Sequence, residues 1–345
     1  MKPLKFVFLV LLIIASLAAG FLSSYSIAII SVVLFAAFNI VNLLIKEESG
    51  KQKCVFFAIS FFSLIVVFHV GLLVRTNLSP VCYEGIPKNF SASRYNARPI
   101  SLEQLDKSIA TFSEFKIDTL KRIDFNDKDF YIKRLSSKNK GERKTKILVI
   151  AGTHGSETAN VYAVQKILEH IRLQNLHDEF YFEIIYALNP VGLSFFYRFN
   201  ECNCNINRDF MQFKTVQAQL LRDLVKEHHF DYALDLHEGP YDGQYFINNT
   251  SIKNLKENIL KGFEKENIAV SPMMKNSVKD FLFQYEIDNP VARIKQIMTF
   301  DMYLKSVRIQ NILSESDGLS TDFDKRIQGH VVVFDKLIEG IQKDN

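Results

Sequence analysis

The sequence predicts an α/β fold, a mixed and largely parallel sheet flanked by helices, preceded by about three transmembrane helices. Two uncharged runs open the chain, 40 residues between Lys5 and Lys46 and 21 from Cys54 to Val74. After residue 75 of the 345, short β-rich runs alternate with helical patterns. This segregation explains how a chain that is 48% apolar is also 23% charged. A purely cytosolic protein needs no such runs, and a pure transporter would lack the mixture that follows. A membrane-anchored globular domain remains.

A helix rises about 1.5 Å per residue and the hydrocarbon core is roughly 30 Å thick, so the first run holds two spans. The small and polar stretch Gly20–Ser26 divides it, which gives spans near 6–21, 27–45 and 54–74 within an anchor of residues 1–75. The short first segment, with Lys2 and Lys5 before it and small residues near its end, also resembles a signal peptide cleaved after Ala18 or Ala19. Lys2, Lys5, Lys46, Lys51 and Lys53 mark the cytoplasmic ends. Either reading exports the rest of the chain, leaving an integral membrane protein whose large domain is extracytoplasmic (periplasmic, on the inner membrane, in a bacterium). His69, inside the third span, reads as a packing residue. The lipid bilayer is thus one partner. A net charge of +4, evenly spread, argues for no nucleic acid.

Residues 76–128 read as a tether and lead-in, with three prolines between Asn77 and Pro99, and residues 129–345 as the main domain. Strands are expected at Phe130–Arg134, Lys146–Ala151, Phe180–Leu188, Tyr232–Leu236, Tyr245–Asn248 and Val307–Leu313, and helices near 157–173, 215–229, 253–266 and 321–342. Alternating strands and helices favour a sheet covered on both faces, and ligands of such sheets bind beyond the carboxyl ends of the strands.

Three strands deliver chemistry to that edge. KILVIAG runs into Thr153-His154-Gly155-Ser156-Glu157, DYALDL into His237, and VRIQNIL into Ser314-Glu315. Two imidazoles and one carboxylate leave a zinc ion with an open position for water, as a catalytic site requires. A further segment holds Asn189-Pro190-Val191-Gly192, then Arg198, then Asn205-Ile206-Asn207-Arg208-Asp209-Phe210. An amide beside a planar guanidinium suits a carboxylate. Taken singly, each motif is matched by a bland alternative: a core histidine, a loop carboxylate, a surface ion pair.

In this order, His154-Gly-Ser-Glu157, the NPVG turn, Arg198, the N-I-N-R-D-F run, D-L-His237 and Glu315 resemble the zinc carboxypeptidases of the M14 type. They are also similar to the related aspartoacylase and succinylglutamate desuccinylase group. The resemblance covers roughly residues 130–340 and implies a zinc-carboxypeptidase-like fold. It implies one zinc ion held by His154, Glu157 and His237, with Glu315 as the general base and Arg198 polarising the scissile carbonyl. Asn207 and Arg208 would clamp the substrate's terminal carboxylate. Asn205 stands where the family commonly has an aspartate that accepts a hydrogen bond from the first zinc-bound histidine; an amide oxygen can accept too, but without charge. Tyr241, Tyr245, Tyr285 and Tyr303 are all candidates for the substrate-contacting tyrosine of many carboxypeptidases.

Given export, Cys82 is expected to pair with Cys202 or Cys204 in a disulfide. His228-His229 ends an amphipathic helix and is given no role. The expected function is a metallocarboxypeptidase acting on a C-terminal peptide bond, with cell-wall peptides among the substrates of a bacterial version. The alternatives are a zinc-dependent deacylase of N-acyl amino acids, whose substrate also carries a free carboxylate, and a membrane-tethered binding domain without turnover.

Overall fold

Strand β3 (Thr145–Ile150) is apolar from Ile147 to Ile150, and all four side chains have no exposure, the mark of a strand buried on both faces. It lies at the centre of the fold in a computed structural model that describes residues 81–84, 95–138, 144–275 and 296–344. The spans expected near 6–21, 27–45 and 54–74 lie outside the described residues. Among the described residues no helix is long and apolar enough to cross a membrane. Val81–Ser277 and Ile297–Asn345 belong to one compact unit.

In chain order the unit contains α1 (Leu102–Ile109), β1 (Phe115–Phe125), β2 (Lys128–Ser137), β3, α2 (Ala159–Leu173), β4 (Phe180–Ile185) and α3 (Pro190–Phe195). There follow α4 (Val216–His228), β5 (Tyr232–Gly239), β6 (Tyr245–Asn249), α5 (Leu255–Lys265), α6 (Pro272–Lys275), α7 (Phe300–Ser306), β7 (Gln310–Asp317) and α8 (Phe323–Asp344). The seven strands form one sheet in the order β1-β2-β4-β3-β5-β7-β6. The central strands β4, β3, β5 and β7 are parallel, while β1, β2 and β6 join antiparallel at the edges. The chain passes from β3 to β4 on one side and returns to β5 on the other. The crevice between the ends of β3 and β5 is therefore the switch point at which such sheets bind ligands.

Period-two alternation sorts the side chains of β5 and β7 between two helical layers. Ala233 on β5 packs with Leu221 and Leu224 of α4 and with Phe300 and Leu304 of α7 in one apolar cluster. Asp235 and His237 share the face of Ala233. On the other face Glu238 reaches α2 and α8, and Ser314 of β7 bonds His330 of α8.

Local chemistry explains the ends of the elements. Thr215 caps α4 through Ala218 N, and Asn189 caps α3 through Gly192 N with Pro190 in the first turn. Asn126 and Asp127, with φ of 52° and 57°, make the two-residue turn of the β1–β2 hairpin.

Several expected boundaries shift. The strand expected at Phe180–Leu188 ends at Ile185, because Leu188 and Asn189 turn to bond Ala151 O and Gly152 O. The one expected at Val307–Leu313 begins at Gln310, since Val307 caps α7 and Arg308 has φ of 65°. The helix expected from 157 begins at Ala159, which leaves Glu157 in the preceding turn. The residues read as tether and lead-in hold α1 and β1, and β1 pairs along its length with β2.

Candidate metal centre

Beyond β3 the chain turns at Gly152, whose φ is +71°, and its N–H donates to Asn160 Oδ1 at 3.0 Å. The next residues form a tight turn closed by Glu157 N to His154 O at 3.2 Å. Gly155 lies back to back with Gly192 of α3: a Cβ at Gly155 would stand 1.9 Å from the Gly192 carbonyl carbon. Asn189 is the strut between the two turns and the chain that follows. Besides capping α3, its amide donates to Phe199 O at 3.1 Å, next to Arg198.

The three predicted ligands converge, and all are 1–2% exposed. His154 Nδ1 lies 2.7 Å from Glu157 Oε1, His237 Nδ1 3.0 Å from Glu157 Oε2, and the two Nδ1 atoms are 3.3 Å apart. Ligand atoms about 2.0–2.1 Å from a tetrahedral zinc stand roughly 3.3 Å from one another, so the nitrogen pair fits such an ion. The far side of each ring is also engaged. His154 Nε2 lies 3.1 Å from Asn205 Oδ1, and His237 Nε2 lies 3.2 Å from Asp235 Oδ2. An Nε2–H donated to each oxygen leaves both Nδ1 lone pairs turned to the common point.

Glu157 is held from two more directions, accepting from Arg198 Nη1 at 2.8 Å and from Glu238 N at 3.0 Å. Burial opposes its charge, but His154 and His237 hold its carboxyl well below the usual range. Burial, helped by Arg198, pushes His154 down to about 3. Burial also opposes a charge on His237, yet Asp235 and Glu157 raise it well above the ordinary value.

Glu315 is the register partner of His237 across the parallel β5–β7 pair, so both stand on one face of the sheet. Burial pushes its carboxyl up to about 8, against the pull of His237. Arg208 is partly buried, with Nη1 donating to Asn207 O at 2.7 Å; burial and Arg198 lower its pKa. Asn207 lies behind His237, its Nδ2 3.4 Å from His237 Nε2 and its Oδ1 accepting from Phe300 N at 2.8 Å. Its side chain thus faces protein groups, whereas Arg208 neighbours Glu315 and Tyr241.

Of the four tyrosines, Tyr245 is fully buried and Tyr303 packs among Phe210 and Phe213 in the core. Tyr285 lies outside the described residues. Tyr241 interacts with Glu315 and Arg208, and its ring occupies the space that a Cβ on Gly239 would take, at 2.0 Å. Cys82 pairs with Cys204 rather than Cys202, which is free and exposed. The bond ties the chain near residue 82 to the loop that carries Asn205, and Asn205 N donates to Val81 O at 2.7 Å. His228 Nδ1 lies 2.5 Å from Oε1 of the buried Glu183, away from the metal set.

Two residues of the centre have no role assigned from the sequence. Asp235 is the partner of His237, and the alternation of D-L-H along a strand places both on one face. Glu238 is joined to Arg326 of α8 and accepts from Ala159 N at 2.5 Å, pinning the start of α2. No local pattern announces that pair, because Arg326 lies 88 residues away.

Residues 127–233 match the model of a family described as a protein of unknown function, DUF2817. No curated protein matches the chain. Among solved structures, a candidate metallopeptidase from Shewanella denitrificans is 17% identical, covering 73% of this chain and 98% of that one, with a TM-score of 0.57. A metallo-carboxypeptidase from Burkholderia cenocepacia is 14% identical over 72% of this chain and 70% of that one, TM-score 0.54. The metallo-carboxypeptidase from Pseudomonas aeruginosa, solved with (2-guanidinoethylmercapto)succinic acid, is 13% identical over 71% and 70%, TM-score 0.52. At these identities the likeness is one of fold. The chain has the mixed α/β fold of metallo-carboxypeptidases and, at the carboxyl ends of β3 and β5, a buried His-Glu-His group able to hold a metal ion.

Proposed function

We propose that the protein is a membrane-anchored, extracytoplasmic zinc metallocarboxypeptidase that removes a C-terminal residue from a peptide. One observation carries the reading: His154, Glu157 and His237 converge at a topological switch point with Glu315 beside them in register. The donor set of two imidazole nitrogens and a carboxylate suits zinc. Bound there, zinc would acidify a water and polarise the scissile carbonyl.

The chain's own residues supply the remaining parts. Glu315 takes a proton from the attacking water at its carboxylate and passes it to the leaving nitrogen; a nearby cation lowers the carboxyl pKa and favours the basic form. Arg198, held by Glu157, offers its remaining N–H groups where negative charge develops on the carbonyl oxygen. Arg208 presents a guanidinium to the terminal carboxylate. Asn207 steadies that loop through Phe300 N. A substrate bearing a free carboxylate agrees with the succinic acid group of the compound bound to the Pseudomonas neighbour.

Localisation rests on the uncharged runs of the first 75 residues and on the Cys82–Cys204 disulfide, which suits an oxidising compartment. The test is incubation of the zinc-loaded full-length chain in detergent, alongside Glu315→Gln, with mixed peptides, cell-wall peptides and N-acyl amino acids. Loss of single C-terminal residues with the parent alone supports the reading. Release of acyl groups alone moves the protein to the deacylases, and a folded, zinc-loaded parent without turnover makes it a binding domain.

A further inference from the structure

The geometry points to Asp235 as the residue that positions His237 and supplies the metal centre with its second negative charge. This inference rests on the metal reading above. Asp235 is 1% exposed, and its Oδ2 lies 3.2 Å from His237 Nε2. Its other oxygen, Oδ1, is buried and has no hydrogen-bond partner among the described residues, and no lysine or arginine there pairs with it. Asp209 is also buried but docks on a backbone donor, Thr215 N at 2.6 Å, and so ties one loop to the start of α4. Asp235 makes no such tie. Among the described residues, the only hydrogen-bonding contact made by its carboxylate is with the imidazole of a candidate metal ligand.

Burying a carboxylate costs several kcal/mol unless a partner compensates. A single imidazole 3.2 Å away and an unpartnered second oxygen compensate poorly. The fold therefore gains little from the charge at Asp235. A dication on the far side of His237 would gain much, because a carboxylate behind an imidazole fixes the ring, sets its tautomer and makes the ligating nitrogen a better donor. The other histidine lacks this arrangement, since His154 Nε2 faces the neutral amide of Asn205 at 3.1 Å. Glu157 and Asp235 together carry two negative charges to match a divalent ion. Asp235 touches neither substrate nor metal in this scheme and is a positioning residue.

The test measures zinc affinity of the full-length chain by competition with a chromophoric chelator, for the parent, Asp235→Asn, Asn205→Asp and the double variant. The cobalt-loaded absorption spectrum is recorded for each. Asp235→Asn is expected to weaken zinc about 10- to 100-fold and to shift the cobalt bands, while the metal-free protein melts no lower than the parent. Asn205→Asp, which places a carboxylate behind His154, is expected to tighten binding alone and to recover about tenfold in the Asp235→Asn background. Unchanged affinity in folded Asp235→Asn, or a double variant that binds no better than it, overturns the inference. Should Asp235→Asn not fold, Asn205→Asp decides: tighter binding supports the charge argument and unaltered binding refutes it. A parent that takes up no zinc overturns the metal reading itself, and this inference with it.

Discussion

His330 of α8 has no exposure, its Nδ1 lies 2.8 Å from Ser314 Oγ, and its Nε2 has no partner among the described residues. Burial, with Arg326 nearby, pushes its imidazole from the ordinary 6.5 down to about 3. Between those values the unfolded chain binds a proton that the folded chain does not. Stability contributed by the neutral ring is thus complete above pH 6.5 and is lost as pH falls towards 3. Each pH unit in that window is worth about 1.4 kcal/mol, so roughly 2 kcal/mol disappears between pH 7 and pH 5. Other groups titrate in the same range, and the carboxyl of Glu238, raised by burial to about 7, works in the opposite direction. The assay therefore compares urea unfolding of the parent and His330→Gln at pH 7, 6 and 5, and reads only the difference. The advantage of the parent should shrink by about 2 kcal/mol over that range. A difference constant to within about 0.5 kcal/mol would refute the reasoning, since it would mean that His330 titrates normally in the folded state.

Arg326→Met removes the guanidinium that Glu238 contacts on α8, and should destabilise the protein by about 3–5 kcal/mol in denaturant melts; a loss below about 1 kcal/mol would contradict the buried-pair account. Replacing Cys82 and Cys204 by serine opens a link between residues 122 apart in sequence, with an expected cost of about 2–4 kcal/mol; equal stability with and without reductant would count against the pairing. Gly155→Ala drives a methyl into the Gly192 backbone, and zinc uptake by the folded variant should fall at least tenfold; parent-like uptake would show that the two turns are not in contact.

Much of the centre was legible because its residues lie where a buried strand stops. β3 and β5 are nearly unbroken apolar runs, and His154, Glu157 and His237 follow or close them, so strand identification alone brings these residues to one edge. Glu315 was placed there as well, although its strand begins three residues later than expected. Val307 is β-branched and suits a strand, whereas local hydrogen bonding makes it the cap of α7. Residues outside the motifs were harder to find. β1 has the 2-residue alternation of an edge strand, but many of its positions are polar or exposed, so its pattern resembles that of a lead-in. Helices α3 and α7 span only 6 and 7 residues, too few for a helical period to show. The Glu238–Arg326 pair joins distant elements through tertiary packing, which no local pattern encodes. Asp235 could have been found from strand alternation; its importance shows only when the imidazole beside it is seen to face a metal site.

The central claim is that His154, Glu157 and His237 together hold one zinc ion. Its most direct test is elemental analysis of the purified full-length chain after zinc loading and desalting, in parallel with folded His154→Ala and His237→Ala. The account predicts close to one zinc per parent chain and a near-complete loss in each variant. A parent without bound metal, or variants that keep as much as the parent, would contradict it.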